Sequence, residues 1–274
     1  RKESSAASDV YKRQELQSLK KTQWIGLKTI IRKEITRFSR IWMQTLLPPA
    51  ITMSLYFILF STILGPRIGE MAGFDYIQFI APGIIMMSVI TNSYSNVVSS
   101  FFGAKFQRHI EEILVAPVSN EIILLGYVVG GVCRGIAIGF LVTLVALFFT
   151  DLSIHSYTVT FAVVLLTSTL FSLCGFLNAV FARSFDDISI VPTFILAPMT
   201  YLGGVFYSVD LLPSFWYQVS LFNPILYMVN AFRYGMLGHS DINVTYALLA
   251  IITFVVLLTI ICLDILKRGT GLRT

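Results

Sequence analysis

Long apolar runs separated by short polar stretches make up most of the sequence after about residue 41. A helix needs roughly 20 mostly apolar residues to cross a hydrocarbon layer of about 30 Å, because its backbone polar groups must be bonded within the segment. Six runs meet this requirement and predict an all-α, polytopic membrane protein with six transmembrane helices. The predicted spans are residues 41–64, 76–99, 130–150, 157–181, 188–207 and 244–266.

Prolines interrupt the pattern in the last third of the chain. Pro192 and Pro198 lie within the fifth run, and the stretch LLPSFWYQVSLFNPILYMVNAFRYGMLG that follows contains Pro213 and Pro224. Proline removes a helix hydrogen bond and clashes with the preceding turn, so this stretch cannot form one continuous span. Irregular backbone is not tolerated against lipid. The pattern therefore predicts short re-entrant or interfacial helices between residues 211 and 237, buried against the spans.

An amphipathic pattern precedes the first run, over residues 22–40. Apolar and basic residues alternate with helical spacing there: Trp24, Leu27, Ile31, Ile35, Phe38 and Trp42 are apolar, and Lys28, Arg32, Lys33 and Arg37 lie between them. This pattern predicts a helix in the headgroup plane with its basic side toward the cytoplasm. It either anchors the first span or also contacts a partner. Residues 1–21 lack the periodicity and an initiator Met, so we expect them to be disordered or foreign to the native protein.

A charged segment, FQRHIEEILVAPVSN, separates the second and third runs. Its apolar spacing predicts a helix that ends before Pro117, since the residue before a proline disfavours helical backbone. In the following VSNEIILLG, Ser119 or Asn120 can cap a second short helix. Two helices joined at a proline form a rigid projection. It is either a docking surface for a soluble subunit or a loop that only covers the spans.

Composition and charge agree with a membrane location. The chain has 274 residues, a mean hydropathy of +0.77 and only 13% charged residues, which is typical of membrane proteins. Seventeen of the 20 basic residues flank the predicted spans on one side. Cytoplasmic flanks carry the excess of Lys and Arg, so both termini and the segment at 104–127 are predicted to be cytoplasmic. Membrane topology thus explains the excess of basic over acidic residues, and nucleic-acid binding is disfavoured.

Several chemistries are missing from the sequence. No predicted span has Asp or Glu near its centre, although an ion-coupled carrier normally needs such a group at a cost of at least about 2.5 to 3.5 kcal/mol. Arg134 lies four residues into the third predicted span and is expected to reach the cytoplasmic surface. The chain has no G-x-x-x-x-G-K-[ST] motif for ATP. The cysteines and histidines indicate no disulfide, metal site or nucleophile arrangement: they are Cys133, Cys174, Cys262, His109, His155 and His239.

Glycines concentrate at the start of the third predicted span. Their spacing of four or five residues places several on related helix faces, which predicts close packing between helices. They are Gly126, Gly130, Gly131, Gly135 and Gly139.

Two long motifs carry a family resemblance. IEEILVAPVSNEIILLG after the second span and YLGGVFYSVDLLPSFWYQVSLFNPILYMVNAFRYGMLG before the last one resemble the permease subunits of ABC-2 type transporters, from about residue 22 onward. The resemblance implies the type V exporter fold, with a connecting helix at 22–40, a six-span domain at 41–266 and a cytoplasmic tail at 267–274.

The resemblance also implies partners. Such subunits pair in the bacterial inner membrane, and each sits on a separate ATPase that holds ATP and Mg, so this chain is expected to bind no cofactor or metal and to catalyse no reaction itself. In that family the segment after the second span docks on the ATPase. The candidate docking residues are Glu111, Glu112, Pro117, Val118, Ser119, Asn120 and Glu121.

The substrate is suggested only by polar positions within the spans. Asn92, Tyr94, Asn96 and Asn178 are candidates for a pathway that accepts an amphipathic drug, a lipid-linked molecule or a glycan. The alternative is that these residues form hydrogen bonds between helices. An ion-coupled secondary transporter or channel and an intramembrane enzyme are the other function classes considered.

Overall fold

The computed structural model describes residues 2–271, with side chains described from residue 19 onward. Residue 1 of the predicted leader and residues 272–274 of the predicted tail lie outside this range. In chain order the helices are α1 (Lys2–Arg40), α2 (Trp42–Thr45), α3 (Leu47–Leu59), α4 (Gly65–Ile68), α5 (Tyr76–Phe106), α6 (His109–Val115), α7 (Asn120–Ala146), α8 (Tyr157–Phe181), α9 (Phe185–Ile190), α10 (Ala197–Leu202), α11 (Ser214–Leu221), α12 (Pro224–Leu237) and α13 (Val244–Arg268). Phe60–Leu64 and Val191–Leu196 are π-helical, and Val209–Leu211 is a 3-10 turn.

The structure is mainly helical, as predicted, with one small exception. Strands β1 (Glu70–Met71) and β2 (Phe74–Asp75) form a short antiparallel pair before α5. Helix α1 begins at Lys2 instead of residue 22, and so includes most of the segment expected to be disordered. The division of the chain into leader, connecting helix, spanning domain and tail stays a prediction.

Five helical segments in the described part of the chain are long and apolar enough to cross a membrane. They are Trp42–Ile68, Tyr76–Phe106, Asn120–Ala146, Tyr157–Phe181 and Val244–Arg268. The predicted fifth span at 188–207 corresponds instead to α9, a π-helical turn and α10 in succession. Pro192 and Pro198 lack the N–H that a regular helix needs, which accounts for the interruption. The count of six spans therefore stays a prediction.

Helix α5 is the centre of the bundle, between α7 and α8. Its most apolar stretch is 78% buried, against 11% for α13, which lies at the periphery. Glycines on α7 permit the close approach: a side chain at Gly131 would collide with Ser172, and one at Gly135 with Ser93. The predicted packing role of these glycines is confirmed.

The two ends of the bundle differ in structure. We name the end that holds α6 and the last turns of α5, α8 and α13 the α6 face, and the opposite end, with α11 and α12, the α12 face. Asn223 caps α12 by accepting a hydrogen bond from the Ile225 N–H at 3.0 Å, and Pro224 occupies the first helical position. Gly238 ends the helix with φ of 75°. The break predicted at Pro224 is thus confirmed.

Helix α12 brings a charge into the interior that the sequence did not indicate. Arg233 is fully buried, and its Nη2 donates to the Gly204 carbonyl at 2.6 Å while its Nε donates to the Phe79 carbonyl at 3.2 Å. Asp241 Oδ2 lies 3.8 Å from Nη1. This cluster joins α12 to α5 and to the turn after α10, and it explains how so short a helix is held in place.

Candidate functional site

The charged segment folds into two helices joined by an extended turn, as predicted. Helix α6 ends at Val115, Ala116 has extended backbone with ψ of 146°, and α7 begins at Asn120. Ser119 occupies the N-cap position with extended backbone, but its hydroxyl makes no capping hydrogen bond. We name residues 109–121 the α6–α7 hairpin.

The hairpin presents three glutamates to its surroundings. Glu111, Glu112 and Glu121 are exposed, and none of them forms an ion pair within 4.0 Å among residues 19–271. Pro117 is also exposed, whereas Val118, Ser119 and Asn120 are half-buried. The seven candidate docking residues therefore all lie on the α6–α7 hairpin, where Glu121 interacts with Ser119 and Lys267. A docking role for them stays a prediction.

Gln23 on α1 holds the turn of the hairpin. Its Nε2 donates to the Pro117 carbonyl at 3.1 Å, and its Oε1 accepts from the Ser119 N–H at 2.8 Å. The next turn of α1 places Gly26 against Val118, where any larger side chain would collide. Sequence reasoning missed Gln23, because nothing in its local pattern distinguishes it from a solvent-facing glutamine.

Helix α1 continues along α7 and ends in a buried charge cluster. Glu34 is fully buried, and its Oε1 accepts from the Ser100 hydroxyl at 2.5 Å. Arg37 Nη2 lies 3.3 Å from Glu34 Oε2 and donates to both the carbonyl and the side-chain oxygen of Asn96 at 2.8 Å. The cluster links α1 to α5 across some 60 residues of sequence, a connection that no local pattern indicated.

The stripe of α1 that packs against the bundle coincides only in part with the predicted apolar face, of which Phe38 is buried and Leu27 and Ile31 are half-buried. Ile30, Glu34 and Phe38 are buried, whereas Trp24 is 66% exposed and Ile35 is 36% exposed. Gly126 and Gly130 of α7 lie directly against Ile30 and Glu34. The glycine surface of α7 selects which stripe of α1 it contacts, and the Trp24 stripe remains on the outside.

The predicted pathway residues all form hydrogen bonds inside the chain. Asn178 donates to the Tyr94 hydroxyl at 2.5 Å, Asn92 donates to the Ser88 carbonyl at 3.0 Å, and Asn96 accepts from Arg37. Most of these bonds connect different helices, as the alternative interpretation expected. A role in a substrate pathway stays a prediction.

The sequence places Arg134 near the start of the third span, but in the structure it does not lie near a helix end. Helix α7 begins at Asn120, ten residues before the predicted span, so Arg134 lies near the middle of the helix. Its Nη2 donates to Asn92 Oδ1 at 3.2 Å and to the Thr45 carbonyl at 3.5 Å. Helix α7 thus carries a half-buried cation whose partners come from α5 and α2.

Comparisons with known proteins give one family match and several relatives. A sequence profile described as ABC-2 type transporter matches residues 26–237. The chain is 57% identical over 251 residues to the inner membrane transport permease YadH of Escherichia coli (strain K12), covering 92% of this chain and 98% of that protein. It is 24% identical over 206 residues to nodulation protein J of Rhizobium leguminosarum bv. viciae, covering 75% and 80%. The profile match includes the α6–α7 hairpin and ends at the last residue of α12.

Proposed function

The chain belongs to the ABC-2 type transporter family, and from this membership we propose that it is the permease subunit of an ATP-driven exporter with a separate ATPase subunit. As a multi-pass inner-membrane transport permease, it supplies the passage and the mechanical response. ATP and Mg are held by the partner, and two copies of the chain pair in the complete transporter.

The observation that carries this proposal is the construction of the α6–α7 hairpin. Exposed glutamates at its surface have no described ion-pair partner, while Gln23 holds its turn through two hydrogen bonds. A loop that only covers the spans needs neither feature. A rigid projection with unpaired charge suits transfer of force from a soluble subunit.

The distribution of positive charge supports an orientation with the α6 face in the cytoplasm. Lys105, Arg108, Arg183, Lys267 and Arg268 lie at or near that face, while Arg67 and the buried Arg233 belong to the other. Cytoplasmic flanks of membrane proteins carry such an excess. Both termini and the hairpin are then on the side where an ATPase can reach them.

The proposed mechanism uses the hairpin as a lever. ATP binding draws two ATPase subunits together, and the hairpin passes this movement to α7 directly and to α5 through α1 and the Glu34 cluster. Moving a two-state equilibrium from 1:99 to 99:1 requires about 5.5 kcal/mol of bias. Nucleotide binding and hydrolysis supply energy of this size, and the chain needs no ion gradient.

The substrate of the proposed exporter is a drug-like, lipid-linked or glycan molecule. Helices α5 and α8 carry neutral polar groups that face other helices of the bundle: Tyr94 and Asn178 contact each other, Asn92 faces α7, and Asn96 faces α1 and α7. We propose that movement of the helices exposes some of these groups to the substrate. Replacing Asn178 with Leu is then expected to change which compounds stimulate ATP hydrolysis.

A charge reversal tests the docking role. In Glu111→Lys/Glu112→Lys we expect copurification with the ATPase and substrate-stimulated ATP hydrolysis to fall about tenfold or more, since like charges oppose each other at the contact. The matched control is Glu70→Lys/Asp75→Lys, which makes the same charge change in the exposed β1–β2 pair on the α12 face. Unchanged copurification of the first variant with normal membrane insertion would contradict the proposal.

A further inference from the structure

A cavity of about 670 Å³ opens on the α6 face, and none of its lining residues belongs to the hairpin. It lies where α5 and α8 end and where the chain emerges from α13. No acidic residue is among the residues that line it. The lining includes three cations, Lys105, Arg108 and Arg183, and three aromatic rings, Phe102, Phe106 and Phe181. Since helix ends in a membrane protein lie near headgroup level, the cavity combines positive charge with apolar surface at that depth.

Lys105 has a structural role in this wall. It is buried, and its Nζ donates to the Val180 carbonyl at 2.6 Å and to the Ala182 carbonyl at 2.9 Å. These carbonyls belong to the end of α8, where the helix leaves acceptors without internal donors and carries partial negative charge. The charge of Lys105 is therefore largely offset by α8.

Arg108 and Arg183 are not offset in this way. Neither guanidinium forms an ion pair within 4.0 Å with any carboxylate in the described part of the chain. The Asp187 carboxylate is bound to the backbone N–H groups of Arg183 and Ser184, which lowers its pKa. Asp264 is paired with Arg268 at 2.8 Å. Two guanidinium groups thus line one cavity with no described carboxylate within 4.0 Å, and Asp187 acts on Arg183 only at longer range.

The backbone at Arg108 supports a role for its side chain. Its φ is 62°, in the left-handed region that glycine adopts freely and that other residues adopt at a cost. A glycine would connect α5 to α6 with less strain. An arginine at this junction instead supplies a cation to the cavity.

We propose that this cavity binds an amphiphile whose phosphate headgroup has a net negative charge and is held by Arg108 and Arg183, with an acyl or prenyl chain packed against Phe102, Phe106 and Phe181. Guanidinium groups bind phosphate oxygens through paired hydrogen bonds, and aromatic rings offer a surface for the chain. The ligand comes either from the membrane phospholipids or from a lipid-linked molecule that the permease handles. The site contains no hairpin residue and requires no ATPase.

The test measures lipid retained by the purified permease. Native mass spectrometry compares phosphatidylglycerol, phosphatidylcholine and glycerol phosphate bound to the wild type and to Arg108→Gly/Arg183→Gln. We expect the wild type to retain phosphatidylglycerol about tenfold more than phosphatidylcholine, and the double variant to lose this preference. Glycine suits the backbone at 108, so the variant is expected to unfold at the same temperature as the wild type. Arg268→Gln, which removes a cation that does not line the cavity, is the control.

Three results would overturn the proposal. They are equal retention of both phospholipids by the wild type, an unchanged preference in the double variant, and a loss of preference in the control as large as in the double variant. Binding of glycerol phosphate as tight as that of phosphatidylglycerol would remove the role of the aromatic wall. Competition with a polyprenyl phosphate identifies the source: displacement of phosphatidylglycerol indicates a lipid-linked molecule, and its persistence indicates a membrane phospholipid, with the proposed chemistry retained in both cases.

Discussion

Two buried charge clusters lie toward opposite ends of the bundle. Each one binds a charged side chain inside an apolar interior, but the binding groups differ. In the cluster near the α6 face, Glu34 is bound by the side chains of Ser100 and Arg37, which come from two helices. In the cluster at the α12 face, Arg233 bonds mainly to the backbone carbonyls of Phe79 and Gly204, with Asp241 farther away at 3.8 Å. Arg37 is 29% exposed at its side chain, whereas Arg233 is completely enclosed.

The difference in binding groups indicates a different role for each cluster. Backbone carbonyls are fixed in position by their helices, so the Arg233 cluster is a rigid attachment of α12. The Glu34 cluster instead consists mainly of side chains, which can exchange partners more readily than fixed backbone carbonyls. We infer that the first cluster serves stability and that the second lies on the route by which movement of the hairpin reaches the bundle.

The largest effect is expected at Arg233. Arg233→Met removes the donors to two carbonyls and takes the guanidinium away from the buried Asp241, which among the described residues keeps only His239 and the Val209 N–H as polar neighbours. This change should cost about 3–5 kcal/mol of stability. The measurement is the thermal unfolding temperature of the purified protein, together with its yield. In Arg233→Met/Asp241→Asn part of the loss is expected to return. Normal stability of the single variant would show that the cluster is not an attachment.

A smaller and different effect is expected at Glu34. Glu34→Gln keeps the shape but weakens the bonds to Ser100 and Arg37, with a cost of about 1–3 kcal/mol. We expect ATPase copurification to persist while transport per ATP hydrolysed falls, because the hairpin still docks but its movement reaches α5 poorly. Equal losses of docking and transport would contradict the distinction between the two clusters.

The effect at Gln23 sharpens the same distinction. Gln23→Ala removes two hydrogen bonds to the hairpin turn, at about 0.5–1.5 kcal/mol each, and should reduce coupling more than global stability. Gln78→Ala is the matched control, since Gln78 donates to the Asp151 carbonyl at 3.0 Å on the α12 face. If both variants reduce coupling to the same extent, the hydrogen bonds of Gln23 have no special role.

The smallest effect is expected at Asp187, a half-buried carboxylate outside both clusters. The pKa of Asp187 lies below its ordinary 3.8 because its carboxylate accepts the Arg183 and Ser184 backbone N–H groups. A lowered pKa contributes stability above the ordinary pKa, and this contribution is lost as pH falls through the lowered value. We expect Asp187→Asn to increase local proteolysis after residue 183 slightly at pH 7. A difference that grew on acidification would contradict this assignment.

Prediction from the sequence succeeded where the cause is local. Four of the five candidate spans overlap the predicted ones closely, and the breaks at Pro117 and Pro224 are where the prolines indicated. The start of α7 was placed too late, because the polar Asn120 and Glu121 hid the continuity of the helix with the glycine-rich run. The prediction for residues 188–207 failed to anticipate a π-helical turn between two short helices.

The sequence by itself determined the membrane location, the hairpin and the short helix near the end of the chain, because apolar length and proline act within a few residues. Only the tertiary structure decided which stripe of α1 is buried and that Glu34 and Arg233 lie inside. A charge enters an apolar interior only where groups from distant parts of the chain bind it. Helix packing sets those partners. The glycines of α7 determine how closely α1 and α5 each approach α7.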